Sequence, residues 1–481
     1  MRDRGTINRR HFISTNATGL SGLALALWVQ QQAAEANPKK PDLVQPTFDT
    51  VPKAPHRFGQ AKAMISLWMQ GGPSQVDLFD RKPELERLDG ETYPGEVKYD
   101  NAAQASSKIL ASPWKWRRYG EAGMELSELI PHMGSIADDI TLIRSMRTGV
   151  NNHGQSIRAM NTGTTVAMQP TLGSWFSYGL GSATDSLPSY LALIDPGQLP
   201  VEGVANWNNG YLPSVFQGTV MRPTEPRILN LTPPKRLVGK PQQQLLSYLE
   251  RLNQQHLTNK PGERDYQARI NMYQLAARMQ TSAVEAMDLS QETAATKKHY
   301  GMDDPVTKDF GARCLIARRL VERGVRFVQV FTQNQFWDHH GRIRTSLPAA
   351  CKKVDKPSAA LVSDLKRRGM LDETIVHWGG EMGRLPVIQN DTGANNVGRD
   401  HNTKGFSMWV AGGGFKAGHV HGKTDEFSHQ AVDQIVNHYD YHHTLMHLFG
   451  LDHQRLAFEH NGLSRKLIET DKSQLVTELI T

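Results

Sequence analysis

Acidic and histidine side chains are concentrated in three short segments of the second half of the chain. Each segment adjoins an apolar run typical of a buried strand, and together they contain Asp338, His340, Glu381, Asp400 and His401. Open α/β sheets place their chemistry at the carboxyl ends of such strands. We therefore expect these five side chains to meet at one edge of a sheet.

The residue types indicate what this group could bind. Carboxylates mixed with imidazoles suit zinc, manganese or iron. The chain has only two cysteines, Cys314 and Cys351, which are too few for a disulfide framework or a cysteine-ligated zinc cluster. The sequence thus predicts a divalent metal site or direct contact with a ligand. The alternative is a set of hydrogen-bonded loop side chains packed at the sheet edge.

A further histidine lies at the start of a short predicted helix. The helical pattern begins at about His153 and is stopped by Gly163. The free N–H groups and the dipole at a helix amino terminus favour anions. His153 is therefore predicted to lie where an anionic ligand could bind.

These residues must be positioned by a large α/β domain. Strands are predicted at 63–69, 140–146, 187–194, 325–331 and 406–411, and helices at 153–163, 171–180, 263–290, 310–323, 357–368 and 439–449. Their alternation favours a mostly parallel central sheet with helices on both faces. The domain is predicted to span residues 62–481, with an irregular insertion at 196–262 that is rich in Gly, Pro, Asn and Gln.

The amino terminus is typical of a targeting segment. Two adjacent arginines, Arg9 and Arg10, precede an apolar stretch at residues 19–28 and a small-residue cleavage pattern at residues 34–36. The stretch is shorter than the roughly 20 residues that span a bilayer. We predict a twin-arginine export signal at 1–36, an extended linker at 37–61, and a periplasmic or extracellular protein. A short anchoring helix is the alternative, and no later run is long enough to cross a membrane.

The charge pattern excludes one class of partner. The formal net charge is +7, but the basic residues are spread along the chain. A nucleic-acid-binding protein shows a clustered basic stripe and a recognisable motif. Neither is present, and no nucleic-acid partner is predicted.

Several motifs together resemble those of the alkaline phosphatase/sulfatase superfamily. More narrowly, they are similar to a family of exported bacterial sulfatase-like proteins named domain of unknown function 1501. The matching segments cover nearly the whole mature chain and are 69–80, 152–153, 162–163, 337–341, 380–384 and 398–401. The resemblance implies an alkaline-phosphatase-like fold and hydrolysis of phosphate or sulfate esters of small molecules or polysaccharides.

The chain departs from the superfamily pattern at several positions. Active members use an activated nucleophile and one or two divalent cations. Here His153 occupies the nucleophile position, and neither cysteine lies in a Cys-x-Pro-x-Arg context. Gln70 replaces the usual metal-binding aspartate after the first strand, where Asp77 is the nearest acid. Glu381 is followed by Met382 in place of a histidine ligand.

The resemblance still implies roles for the predicted site residues. The ligands of one metal ion would be Asp338, His340, Asp400 and His401, with edge contacts from Glu381 and Asp77. His153 would act as a ligand, a phosphohistidine-type nucleophile or a general acid/base. Arg158 or Arg384 would bind the anion, because a guanidinium matches tetrahedral oxyanions bidentately. The alternative function is a non-catalytic metal-binding or structural module derived from this fold.

Overall fold

The computed structural model describes residues 48–99, 105–229, 231, 234–259 and 264–481. The predicted export signal and the first part of the predicted linker lie outside these residues. From residue 48 to the first strand the chain has no regular secondary structure. It is tied to the domain by backbone hydrogen bonds, including one of 2.9 Å from Lys53 to Leu180. No helix within the described ranges is both long and apolar enough to cross a membrane.

A nine-stranded sheet forms the centre of the domain. Its strands, in chain order, are β1 (Ala63–Trp68), β2 (Ile140–Arg147), β3 (Tyr190–Leu193), β4 (Thr219–Met221), β5 (Phe327–Phe331), β6 (Thr374–Gly379), β7 (Phe406–Ala411), β8 (His419–His421) and β9 (Val436–Asn437). The spatial order is β8-β2-β7-β6-β1-β5-β3-β4, and β9 also pairs with β2. Strands β1, β2, β5 and β7 occupy the predicted positions to within two residues at each end. Strand β3 is shorter than predicted.

Most pairings in this sheet are parallel. Strand β1 lies parallel to both β5 and β6, and the outer pairs of β3 with β4 and β5 are parallel as well. Strand β7 is the exception, because it runs antiparallel to both β2 and β6. The prediction of a mostly parallel sheet is therefore confirmed.

Strand β1 shows how each sheet face acquires its own core. Its side chains alternate in direction, as they must in a strand. Ile65 and Leu67 join the hydrophobic cluster on one face, while Met64 and Trp68 join the cluster on the other. Because both faces are apolar, both must be covered by other elements.

Helices cover the two faces. The longer helices of the described residues are α1 (His153–Thr162), α2 (Leu172–Leu180), α3 (Lys240–Asn259), α4 (Arg264–Met287), α5 (Lys308–Glu322), α6 (Ile343–Arg367) and α7 (His438–Leu448). Cys314 of α5 and Leu361 of α6 belong to the first cluster. Phe176 of α2 and Leu445 of α7 belong to the second. The predicted arrangement of helices on both faces is confirmed.

Two regions differ from the sequence-based expectation. The stretch 196–262 is not irregular throughout, because it contains the helix α3, none of whose side chains is buried. A helix without a buried face lacks the strong core signal from which helices are predicted. Helix α6 starts well before residue 357 and includes Pro348 and Pro357. An interior proline costs about 3 kcal/mol, and the long buried face of α6 offsets that cost.

Short elements complete the domain. Two-stranded ladders pair Ala105–Ile109 with Val387–Gln389, Trp116–Tyr119 with Met124–Ser127, Gly383–Arg384 with His401–Asn402, Lys423–Thr424 with Ala431–Asp433, and Ala457–His460 with Leu463–Lys466. Short helical turns occur at Gln75–Leu78, Pro83–Arg87, Pro131–Gly134, Ala137–Asp139, Gly203–Trp207, Ser214–Phe216, Lys235–Leu237, Leu289–Gln291, Ala294–His299, Leu371–Glu373 and Thr477–Leu479.

The sheet directions bring distant segments to one edge. Strands β1, β5 and β6 are parallel, so their carboxyl ends share an edge. Strand β2 ends at the same edge, because it is antiparallel to β7, which is itself antiparallel to β6. For the same reason β7 begins there. The loops after residues 68, 147, 331 and 379 and the loop before residue 406 therefore meet.

We predict that truncating a core tryptophan near this edge strongly destabilises the domain. Trp378 is fully buried and stacks on Trp409 of the neighbouring strand, with ring centroids 6.2 Å apart. Trp378→Ala should lower the free energy of unfolding by about 3–5 kcal/mol, because it removes apolar contacts and leaves a cavity. Urea unfolding followed by circular dichroism measures this change.

Phe58→Ala provides the matched control for an aromatic truncation. Phe58 is 85% exposed, so its removal should change the free energy of unfolding by about 0.5 kcal/mol or less. Equal effects of the two substitutions would contradict the assigned core.

Candidate metal centre

Four side chains converge at the shared sheet edge. They are Asp338 and His340 from the loop after β5, His401 from the ladder before β7, and His153 from the first turn of α1. One ligand atom of each lies within 4.8 Å of the corresponding atoms of the others. Asp338 and the three histidines are separated by up to 248 positions in sequence, and only the sheet topology brings them together.

One carboxylate oxygen stands at the centre of this group. Asp338 Oδ1 lies 2.9 Å from His340 Nε2, 3.2 Å from His401 Nε2 and 3.3 Å from His153 Nε2. The Nε2 atoms of His340 and His401 are 3.0 Å apart. Three imidazoles thus direct the same ring nitrogen toward one oxygen.

This donor set fits a divalent transition metal. Ligands bound at 2.0–2.1 Å in a tetrahedral zinc site stand about 3.3 Å apart, close to the separations observed around Asp338. Three imidazoles and one carboxylate are also donors that zinc and similar ions accept. His153 Nε2 is buried and makes no hydrogen bond within the described residues. This ring nitrogen is therefore available as a metal ligand.

Arg384 holds Asp338 in place. Its Nη2 atom lies 2.6 Å from Asp338 Oδ1. Burial alone would raise the pKa of Asp338, but the Arg384 guanidinium and the hydrogen bonds from the imidazoles hold that pKa well below its usual range. Asp338 therefore stays ionised, as a metal ligand must be.

The position of Arg384 differs from the anion-binding role implied by the resemblance. The side chain is fully buried. Its Nε donates to the Gly72 carbonyl at 2.9 Å, its Nη1 donates to the Arg399 carbonyl at 3.2 Å, and its Nη2 donates to Gly71. Every nitrogen of the guanidinium is engaged inside the protein. Arg384 positions Asp338 and the loop after β1, and is not open to a substrate.

Gly71 permits the loop after β1 to approach the site closely. Its φ is +108°, and a Cβ atom there would lie 2.7 Å from the Asp338 backbone nitrogen. A larger residue would displace one of the two loops. The two glycines after β1 therefore bring the Gly71 and Gly72 carbonyls within reach of Arg384.

Glu381 lies behind the cluster and orients His153. Its Oε1 is 2.7 Å from His153 Nδ1 and accepts a hydrogen bond of 3.0 Å from the Gly71 backbone. Burial by itself would lower the pKa of His153, but the carboxylates of Asp338 and Glu381 beside its two ring nitrogens raise it to about 9. A carboxylate on Nδ1 fixes the ring so that Nε2 faces the cluster.

His340 and His401 are also supported from behind. His340 Nδ1 lies 2.5 Å from Gln389 Oε1 and 3.7 Å from Asp400 Oδ1. Asp400 Oδ1 accepts a 2.7 Å hydrogen bond from the His401 backbone nitrogen. Burial lowers the pKa of His401, which favours the neutral imidazole. Asp400 thus supports this loop and lies outside the four-residue cluster.

Asp77 and Arg158 are engaged away from the cluster. The two oxygens of Asp77 accept hydrogen bonds of 2.9 and 2.8 Å from Arg399, and both side chains are fully buried. Arg158 makes two 2.9 Å contacts with Glu202. Asp77 and Arg158 are thus each neutralised by a partner distant in sequence, and for Arg158 this is the ion pair that was the alternative to anion binding.

Sequence reasoning did not identify Gln389, Arg399 or Glu202. Gln389 lies in a short strand, Arg399 lies beside the predicted acid, and Glu202 lies in the stretch expected to be irregular. The sequence around a glutamine or arginine at such a position does not indicate which residue its side chain will contact. The motif 398–401 does contain Arg399, but its pairing with Asp77 is decided by the fold.

The chain resembles several solved structures at low identity. The PsFucS1 sulfatase from Pseudoalteromonas sp. is 13% identical, with 81% of this chain and 68% of that chain covered and a TM-score of 0.32. The phosphonate monoester hydrolase SpPMH from Silicibacter pomeroyi is 10% identical over 82% of this chain and 74% of that chain, with a TM-score of 0.33. An alkaline phosphatase superfamily protein from Vibrio parahaemolyticus is 13% identical over 85% of this chain and 72% of that chain, also with a TM-score of 0.33.

The family comparison covers almost the whole described domain. No curated protein matches the chain. A family model described as "Protein of unknown function (DUF1501)" matches residues 61–480. The chain therefore belongs to the DUF1501 family.

Proposed function

We propose that this protein is an exported metal-dependent hydrolase of phosphate or sulfate esters. The observation that carries the proposal is the convergence of three imidazoles on Asp338, with all four ligand atoms within 4.8 Å of one another. A sheet that served only as a scaffold would have no need for a convergent set of this kind. The motifs that resemble the alkaline phosphatase/sulfatase superfamily suggest the ester class.

The proposed ligands are His153, Asp338, His340 and His401. The chemistry that a divalent ion supplies in such a site is polarisation of the ester oxygens and stabilisation of the leaving oxygen. Arg384 keeps Asp338 ionised and in place, and Glu381 aims His153 Nε2 at the cluster.

We infer that water is the nucleophile, because the imidazole of His153 is engaged on both sides. His153 Nδ1 is held by Glu381, and its Nε2 faces Asp338. Neither nitrogen is directed away from the cluster, so a phosphohistidine step is not part of the proposal. The oxygen of water forms the new bond to phosphorus or sulfur as the bond to the ester oxygen breaks. The departing alcohol takes up a proton that the water loses.

A second candidate is a metal-binding module without catalytic activity. The observation that favours it is the same engagement of His153, which removes the nucleophile expected at this position. Both candidate functions require the metal site, and they differ only in whether the protein hydrolyses a substrate. Activity of the metal-loaded protein on 4-nitrophenyl phosphate and 4-nitrophenyl sulfate decides between them, and absence of turnover on both would favour the module.

We predict that His401→Ala weakens metal binding at least tenfold. The substitution removes one of four donors, and even loss of a supporting residue behind a ligand costs about 10–100-fold in affinity. Elemental analysis after reloading and dialysis should find one zinc or manganese ion per wild-type chain and substantially less in the variant. His447→Ala, which removes a histidine of α7 outside the cluster, should retain the metal. Equal metal content in both variants would refute the assigned ligands.

We predict that metal binding is coupled to proton release. The pKa of His153 is raised to about 9 by Asp338 and Glu381 against the effect of burial, so the metal-free protein carries a proton there at pH 7. A metal ion must displace that proton, and its affinity should fall as the pH falls below about 9. Titration calorimetry in two buffers of different ionisation enthalpy should show release of about one proton per ion. Identical heats in both buffers would contradict the coupling.

We predict that the paired arginines at the amino terminus direct export. Arg9→Lys combined with Arg10→Lys should leave the protein in the cytoplasm of its native host, because twin-arginine recognition requires the guanidinium pair. Fractionation and immunoblotting of the wild type and the double variant measure this. Arg2→Lys and Arg4→Lys together conserve charge in the same segment and should permit export. Normal secretion of the first variant would exclude a twin-arginine signal.

A further inference from the structure

A small cavity adjoins the metal cluster. Its volume is about 130 Å³, and His401 forms part of its wall. The other lining residues are Lys98, Arg147, Gly149, Asn151, Leu385, Asn402, Thr403, Lys404 and His429. Because His401 belongs to both the cluster and the cavity wall, the cavity and the proposed metal site are separated by a single imidazole.

Three cations line this cavity and no acid does. Lys98 and Arg147 are exposed and Lys404 is partly buried. Within the described residues, none of the three forms an ion pair, whereas the deeper arginines of the site are neutralised by Asp338 and Asp77. Among the described residues, no acidic side chain therefore compensates the positive charge around the cavity.

Two of the three cations, Arg147 and Lys404, project from segments that the fold holds together. The backbone nitrogens of Thr148 and Gly149 both donate to the Thr403 carbonyl, at 3.2 and 3.0 Å. Asn402 donates to the carbonyls of Gly405 and His429 at 2.8 and 2.9 Å. These bonds tie the end of β2, which carries Arg147, to the loop that carries Lys404. Binding an anion between them requires little rearrangement of the backbone.

We propose that this cavity binds a second anionic group of the substrate. Its contacts would be Lys98, Arg147 and Lys404, and the group would be a sulfate or phosphate. The volume corresponds to about four water molecules at roughly 30 Å³ each, which suits one tetrahedral oxyanion. The inference rests on the proposed function and narrows it: the substrate is a polyanion whose scissile ester lies at the metal cluster while a neighbouring anionic group occupies the cavity.

Equilibrium binding tests this without any need for turnover. The probes are a disulfated disaccharide and its monosulfated counterpart, titrated calorimetrically into the metal-loaded full chain at low and moderate salt. The wild type should bind the disulfated probe at least about tenfold more tightly, because the second sulfate adds charge-assisted hydrogen bonds. The preference should diminish as salt rises.

Arg147→Gln and Lys404→Gln should each reduce the preference by several-fold and leave the metal content unchanged. Lys352→Gln, which removes an exposed cation on α6, is the matched control and should keep the full preference. Equal affinity of the wild type for both probes would overturn the proposal. So would an equal loss of preference in Lys352→Gln, because binding would then reflect net charge alone.

The outcome separates this inference from the proposed function. If neither 4-nitrophenyl ester is hydrolysed but the charge preference is present and depends on Arg147 and Lys404, the cavity is supported and hydrolysis is not. If the esters are hydrolysed and the two cavity variants bind both probes as the wild type does, hydrolysis stands and the cavity assignment is overturned.

Discussion

The rest of the site depends on one largely buried charge, the carboxylate of Asp338. An ionised carboxylate removed from water costs several kcal/mol unless it is paired and hydrogen-bonded. Here Arg384 supplies the opposite charge, and three imidazoles complete the surroundings. Arg384 is in turn fixed by backbone carbonyls of the loop after β1. A single charge thus links the loops after β1, β5 and β6, and this explains why glycine is needed where those loops cross.

The two buried arginines of the site both form ion pairs inside the protein. Arg384 neutralises Asp338, and Arg399 neutralises Asp77. Both are fully buried, so neither can also meet a substrate. Under the proposed function, cations at the rim would recognise an anionic substrate, and those around the cavity beside His401 lack acidic partners in the described part of the chain. Arg384 stabilises Asp338 and Arg399 stabilises Asp77, whereas the outer cations remain available to a solute.

The sheet was largely predictable because its strands are buried on both faces. Mostly apolar runs such as that of β7 appear directly in the sequence, and β7 spans Phe406–Ala411 as predicted. Helix α1 was predicted from Gly163, whose φ of +77° ends it. Helix α3 was not predicted, because without a buried face its residues show no core signal. The early start of α6 was also missed. Its two prolines disfavour a helix locally, whereas packing against the core favours one.

For the candidate site, the sequence by itself determined which strand ends carry acids and imidazoles. That was enough to predict that Asp338, His340, Glu381, Asp400 and His401 meet at one edge. His401, which precedes β7, reaches that edge because β7 runs antiparallel to β6. The tertiary structure decided which side chains are free to act there. Asp77 and Arg158 are neutralised by Arg399 and Glu202, and Glu381 and Asp400 support histidines from behind. The reason is that a pairing depends on distance in space, and partners hundreds of residues apart leave no local pattern.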